Sequence, residues 1–232
     1  STSNGIAQLE IPAYRVDVTR QADIVEEVLR IYGYNKVAIP EKLNSSITQF
    51  KKPDVEKIQT VISEMLVGQG CIETLNNSLT KSEYSTQLGG EVVKPEWNVE
   101  MLNPLSKDLD VMRQSLIFNG LEMVEHNQNR QNADLKLYEF GKIYHKYESG
   151  YSENRRLIIL LTGNKENESW NSSKDKTTFY TLKGTALAVF KRLGLAGMVK
   201  EKPLKGSLLQ DGVQISVLKN KVGEIGWASA KM

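Results

Sequence analysis

Residues 135–162, LKLYEFGKIYHKYESGYSENRRLIILLT, decide the fold class. Leu135 to Lys146 reads as one strand and Arg156 to Thr162 as the next. The second is almost continuously apolar, the pattern of a strand buried on both faces at the centre of a sheet. Downstream, Gly163 to Lys176 (GNKENESWNSSKDK) is a polar loop, and Phe179 to Leu193 is an amphipathic helix closed by Gly194. Val213 to Leu218 and Val222 to Trp227 form a hairpin across Lys219-Asn220-Lys221. Strands thus follow one another in pairs, with few strand–helix–strand alternations. That order predicts an α+β fold around a largely antiparallel sheet.

Upstream of that stretch the signals continue. Pro53 opens a helix as its first residue, with Asp54 and Glu56 in the favourable first turn. Val55, Ile58, Ile62, Met65 and Leu66 form its apolar stripe, and Gly68 and Gly70 stop it. Cys71 to Leu79 reads as a strand, and Thr80-Lys81-Ser82-Glu83 as a capping box starting a short helix. Gly89 to Asn98 reads as a loop or hairpin tip. Short strands at Val99–Leu102 and Val111–Arg113 flank the turn-rich Asn103-Pro104-Leu105-Ser106. Ser115 to about Asn129 is a helix with Leu116, Ile117, Leu121 and Val124 facing inward.

The N-terminal part is organised differently. Leu9 to Val18 (LEIPAYRVDV) reads as an extended strand with an edge or irregular start at Pro12. From Arg20 to Tyr32 the pattern is helical: Ile24, Val25, Val28, Leu29 and Tyr32 share one side, and Asp23, Glu26 and Glu27 the other. Gly33 stands where a left-handed cap is required. The polar stretch from Pro40 to Pro53 marks a boundary between this piece of about forty residues and the main body. A piece so short must pack on the rest or be the remnant of a larger domain.

Composition narrows the classes. The chain has 232 residues, a formal net charge of +2, 40% hydrophobic and 25% charged residues. A disordered polyelectrolyte and a fibrous repeat are excluded. The longest aliphatic run, Leu157 to Leu161, is far short of the roughly 20 residues that cross a bilayer. STSNGIAQLE has neither the basic start nor the apolar stretch of a signal peptide. Thirty Lys and Arg against 28 Asp and Glu give no bulk attraction for polyphosphate. The single Cys71 forms no internal disulfide and no Cys-rich zinc site, and reads as a small core residue; the cytoplasm is the expected compartment.

Generic catalytic signatures are missing from the sequence: there is no Walker phosphate loop, no Gly-x-Ser-x-Gly elbow and no His-Glu-x-x-His. His126 and His145 lie on different elements without metal spacing, and Trp97, Trp170 and Trp227 read as packing or loop anchors. One constellation stands out. Asp17, on the strand, and Asp23, Glu26 and Glu27, on the helix, bring hard oxygen ligands together, as suits magnesium with several retained waters. The same charges equally serve a helix start, and Glu26 can pair with Arg30 at i+4.

Three stretches carry a resemblance. IPAYRVDVTRQADIVEEVLRIYGYNKV resembles the small domain preceding the synthetase-like module in the beta subunit of bacterial phenylalanine–tRNA ligases. Pro12, Arg15, Asp17, Asp23, Glu26, Glu27, Arg30 and Tyr32-Gly33-Tyr34 match that pattern in order and spacing. LNPLSKDLDVMRQSLIFNGLEMVEHNQNR and LYEFGKIY resemble two further segments of the same subunit. The resemblance implies that residues 1–41 are the C-terminal part of the small α/β domain. Residues 42–232 would then be a class II synthetase-like, non-catalytic module, an antiparallel sheet flanked by helices.

The family enzyme is an (αβ)2 heterotetramer that charges tRNA with phenylalanine using ATP and magnesium. Aminoacylation proceeds on the alpha subunit, while other beta-chain domains contact tRNA or hydrolyse mischarged tyrosine. By the resemblance, Asp17, Asp23, Glu26 and Glu27 belong to a magnesium site shared with the alpha subunit. The isolated chain is then expected to be inactive and to bind magnesium weakly or not at all.

An active class II site needs arginines on the ATP phosphates, one of them in a Gly-x-Gly-x-x-Arg strand–helix motif. The corresponding stretch here, Val222-Gly223-Glu224-Ile225-Gly226-Trp227-Ala228-Ser229, has no such arginine, and Glu224 repels phosphate. Arg113 is expected to pair structurally rather than to face ATP. The helix from Pro53 to Leu66 and the Cys71 strand are the candidate dimer-type interface. Lys183-Gly184-Thr185 stands where the family has Lys-Gly-Asp, and Ile225-Gly226-Trp227-Ala228-Ser229 lacks the family's His-Pro, departures that suit a piece of a larger subunit. Two other readings compete: a free-standing synthetase-like module binding RNA or protein, and a small metal enzyme built on the acidic cluster.

Overall fold

The computed structural model describes residues 2–3, 6–39, 42, 53–88, 90, 92–166, 169–171, 174–205 and 208–229. The expected boundary at 40–53 lies outside these residues except for Lys42 and Pro53. The chain divides into two units, residues 1–51 and 52–232.

In the first unit, β1 (Thr2–Ser3) and β2 (Ile6–Ala7) form a small antiparallel ladder, and α1 spans Gln21–Tyr32. The expected strand over Leu9–Val18 is absent. Backbone bonds from Arg15 N to Pro12 O (2.9 Å) and from Val18 N to Arg15 O (3.3 Å) fold it into successive turns. A proline that has no N–H for a ladder and presets φ favours this alternative. At the start of α1 the Asp23 carboxylate accepts the backbone N–H groups of Thr19 (3.0 Å) and Arg20 (2.8 Å). Gly33 ends α1 at φ 98°, donating to Leu29 O at 2.8 Å. The apolar side of α1 is uncovered: Val25, Val28, Ile31 and Tyr32 are exposed, and no residue of the helix is buried.

The second unit begins with α2 (Val55–Gly68), two residues later than expected, because the Asp54 side chain caps it by accepting Lys57 N at 3.2 Å. It continues through β3 (Ile72–Glu73), β4 (Leu79–Thr80), α3 (Glu83–Gln87), β5 (Val99–Glu100) and β6 (Val111–Met112). Then come α4 (Ile117–Gln128), the long hairpin β7 (Leu135–Tyr147) and β8 (Gly150–Thr162), and α5 (Phe179–Arg192). The unit closes with β9 (Val199–Pro203), β10 (Leu209–Val217) and β11 (Asn220–Ala228). The strands form three sheets, in the orders β3-β7-β8, β4-β6-β5 and β11-β10-β9. Every pairing is antiparallel except β3 with β7. The α+β class is therefore observed, with the strands shared among three small sheets.

The core lies on both faces of the long hairpin. On one face Tyr138, Phe140, Leu157 and Ile159 pack with Ile62, Leu66, Cys71 and Val189 of α2, α5 and the chain between α2 and β3. On the other, Leu135, Leu137, Ile158 and Leu160 meet Ile117, Phe118 and Val124 of α4. Cys71 is a buried free thiol, as its sequence context implied.

Several local expectations give way to tertiary contacts. The Cys71–Leu79 strand survives only as β3 and β4. The capping box at Thr80–Glu83 does not form; Ser82 N and Oγ instead donate to Asp110 at 2.8 and 2.6 Å. β9 was not visible in a KEKP-rich sequence, and it is recruited by pairing with β10. The aliphatic β8, expected at the centre of a sheet, is the outer strand of its sheet.

Candidate functional site

The acidic residues singled out by sequence are built onto the turn before α1 and onto α1 itself. Asp17 lies in the turn, not on a strand. Arg15 holds it from both sides, Nε donating to Oδ1 at 3.2 Å and Nη2 to Oδ2 at 3.0 Å. The same Nη2 donates to Glu27 Oε1 at 2.7 Å. Arg30 reaches Glu27 at 3.3 and 3.4 Å, so the expected Glu26–Arg30 pair is replaced by one at i+3. Glu26 makes no ion pair among the described residues.

The electrostatics follow. Hydrogen bonds from Arg15 hold the Asp17 and Glu27 carboxyls below their usual range. The Thr19 and Arg20 backbone N–H groups do the same for Asp23.

Carboxylate oxygens are the right donors for magnesium, but this arrangement does not fit the ion. A guanidinium stands between Asp17 and Glu27, where a cation would have to be. Asp23 is committed to the helix start. Among the described residues no three acidic, His or Cys side chains converge as a metal centre. The structure thus brings Asp17 and Glu27 together around Arg15 and leaves Asp23 and Glu26 outside that pair. The i, i+2 spacing of Arg15 and Asp17 was the signal in the sequence for this counter-ion.

The second unit contains a different ionic site. Arg113, only 2% exposed, places Nη1 2.8 Å from Oε1 of Glu139, 1% exposed. Its Nε donates to Lys142 O at 3.0 Å and its Nη1 to Asn77 O at 3.3 Å; Asn76 Nδ2 donates to Glu139 Oε2 at 2.7 Å. Gly141 makes room for the pair: a Cβ there would lie 2.5 Å from Arg113 Nη2 and 2.6 Å from Leu116 Cδ2. The expected structural role of Arg113 is what the structure contains. Glu139 was missed, because a carboxylate in a strand reads as a solvent-facing residue until its partner is known.

Residues 222–228, from the stretch that corresponds to the phosphate motif, carry no arginine and form part of a strand hairpin. They lie in β11, where Gly226, with Gly212 of β10, serves close strand contact: a Cβ on Gly226 would lie 2.8 Å from Gln210 O, and one on Gly212 would run into Ile225 O. Both histidines lie away from any metal cluster; His145 is buried, stacked on Tyr147 with Trp97 edge-on. Burial, with Arg156 nearby, lowers its pKa below the ordinary 6.5.

A pyrrolysyl tRNA synthetase of Desulfitobacterium hafniense superposes with a TM-score of 0.52 at 14% identity, over 87% of this chain and 60% of that one. A second structure of pyrrolysyl-tRNA synthetase from that organism gives 0.54 at 13% identity, over 87% and 62%. At such identity the fold alone is shared, and it is the fold of tRNA synthetases.

Sequence comparison is narrower. The phenylalanyl tRNA synthetase beta chain CLM domain matches residues 39–231, and the tRNA synthetase B5 domain matches residues 1–34. A phenylalanine–tRNA ligase beta subunit of Bacteroides fragilis is 46% identical over 206 residues, 84% of this chain and 24% of that protein. One from Porphyromonas gingivalis is 36% identical over 241 residues, covering 99% and 29%. The chain belongs to the phenylalanyl-tRNA synthetase beta chain family, and it spans about a quarter of the length of these relatives.

Proposed function

We propose that this chain is a non-catalytic, structural part of the beta subunit of a phenylalanine–tRNA ligase. It supports the alpha subunit that attaches phenylalanine to tRNA with ATP and magnesium, in an (αβ)2 heterotetramer. The observation that carries this reading is the buried Arg113–Glu139 pair. An arginine committed to a buried carboxylate and two carbonyls is withdrawn from triphosphate, whose charge a class II site must neutralise. Arg155, on β8, pairs with Glu56 at 3.6 Å. Purified protein should give no phenylalanine-dependent pyrophosphate exchange, and clear exchange would overturn the reading. Co-purification of the full-length chain with an alpha subunit is the positive test.

The alpha subunit's contact is assigned to α2 and β3. Val55, Ile58, Val67, Ile72 and Leu75 are exposed there, an apolar surface in keeping with a partner face. The tRNA is a partner of the whole enzyme, chiefly through other domains. The cytoplasm is the proposed compartment; no described helix is long and apolar enough to cross a membrane.

For magnesium, the proposal keeps Asp17, Asp23, Glu26 and Glu27 as the acidic face toward the alpha subunit. By itself this chain is expected to bind the ion weakly or not at all, since Arg15 already pairs with two of the four. Calorimetry of the 232-residue chain with magnesium chloride should give no heat of site binding; micromolar affinity would refute the assignment of Arg15 as counter-ion.

A further inference from the structure

Residues 92–98, ahead of β5, lie against β7 as a strap that is fixed at both ends. At one end Val93 is buried against Ile117 and Phe118. The buried Gln114 side chain clamps the next residue through both backbone groups: Lys94 N donates to Oε1 at 3.0 Å, and Nε2 donates to Lys94 O at 2.7 Å. At the other end the buried Asn98 accepts from Gln114 Nε2 at 2.6 Å and donates to Ser85 Oγ at 2.9 Å. Between these anchors stands the single turn Pro95–Trp97, which meets β7 through rings. Trp97 is edge-on to His145 at 5.8 Å and to Tyr147 at 5.7 Å, and those two rings stack on each other.

The ring beneath the strap is titratable. His145 is 8% exposed, and its Nδ1 is buried without a hydrogen-bond partner. A neutral imidazole tolerates that site, whereas an imidazolium would bury a charge with a donor unmatched, a far larger penalty. Neighbouring charges add to it. Arg156 of β8 lies on the same face of the hairpin, and Lys94 Nζ stands 4.7 Å over the Trp97 ring. The Glu96 carboxylate, 3.9 Å from that ammonium, offsets part of it. The other charges nearby are engaged or in solvent: Arg113 of β6 with Glu139, Glu153 of β8 with Lys142, and Glu100 of β5 exposed.

We propose that the Pro95–Trp97 turn is a proton-operated latch: neutral His145 holds Trp97 on β7, and protonated His145 releases it while the Gln114 clamp keeps the strap attached. In the open form water reaches the imidazole, so the open form takes up the proton more readily than the closed one. The closed form therefore prevails above pH 6.5. As pH falls below that value, opening gains at most about tenfold per pH unit for one proton. The rings of His145 and Tyr147 are what opening bares. This latch stands apart from the assignment of catalytic role.

Trp97 fluorescence tests it. In the 232-residue protein carrying Trp170→Phe and Trp227→Phe, Trp97 is the one tryptophan left. Its acrylamide quenching constant should rise about twofold or more between about pH 7.5 and about pH 5, and return when the pH is restored. His145→Phe keeps a ring in the stack and removes the proton, so its quenching should stay flat over the same range. Amides of the β7–β8 ladder should keep their hydrogen-exchange protection throughout. Should His145→Phe fail to fold, NMR of the parent protein decides: the His145 imidazole and the Trp97 indole should shift together, with one midpoint below pH 6.5. Quenching that ignores pH overturns the latch, as does an equal rise in His145→Phe. So do separate midpoints for the two rings, or ladder protection lost at the same pH.

Discussion

Two arginines in this chain make ion pairs of nearly the same length, Arg15 with Glu27 at 2.7 Å and Arg113 with Glu139 at 2.8 Å. Their surroundings are opposite. The Arg15 side chain is 35% exposed, in a unit whose one long helix buries nothing, while Arg113 is enclosed beneath a sheet and packed against a glycine. Distance alone therefore says little about what an ion pair contributes. Water and salt screen the first, so its value is in orienting the turn before α1. In the second, Arg113 has traded hydration for hydrogen bonds to two carbonyls, while Glu139 Oε1 accepts no hydrogen bond and is held by the guanidinium charge alone; losing either partner leaves a charge with no solvent.

The sharpest test of that contrast is Arg113→Met. It strands the Glu139 carboxylate and should cost ~3–5 kcal/mol of unfolding free energy in urea titrations. The double variant Arg113→Met/Glu139→Leu should recover most of it, because an apolar pair of similar volume needs no desolvation. A single-variant loss no larger than that of a surface pair would erase the distinction. Gly141→Ala comes next: the added methyl must displace Arg113 or Leu116, which overpacking places at about 1–3 kcal/mol.

The pH dependence separates the two units as well. His145 is buried neutral, and its folded pKa lies below 6.5. The unfolded chain therefore binds the proton first. Stability from this group is present above pH 6.5 and declines as pH falls through that value, by at most about 1.4 kcal/mol per pH unit for one proton. His145→Phe should flatten that part of the profile. Asp17, Asp23 and Glu27, with lowered folded pKa values, act in a different window: their contribution is present at neutral pH and is lost in acid, as pH falls through those values. The smallest effect is expected for Arg15→Ala. It should shift the melting of α1 slightly, seen by circular dichroism of residues 1–51 within the whole chain, and the shift should vanish in high salt.

The resemblance to a known family was legible because Pro12, Arg15, Asp17 and the acidic helix lie close together in sequence. The same proximity misled the strand reading at Leu9–Val18, where proline and local turn bonds outweighed alternation. The acidic residues show the same limit of local reading. Spacing places four carboxylates on neighbouring turns, but it does not reveal that a guanidinium two residues from Asp17 reaches Glu27, twelve residues away.

What the sequence determined by itself was local and periodic: the helices of α1, α2, α4 and α5, the strand β7 and the 156–162 half of β8, the buried thiol and the family. These depend on side-chain periodicity and end signals within a dozen residues, which the chain carries wherever it is placed. Only the tertiary structure decided that Glu139 neutralises Arg113, that Gly141 leaves room for that pair, and that an aliphatic strand stands at the outside of its sheet. Those facts depend on which surfaces from distant parts of the chain exclude water together, and no local pattern encodes that.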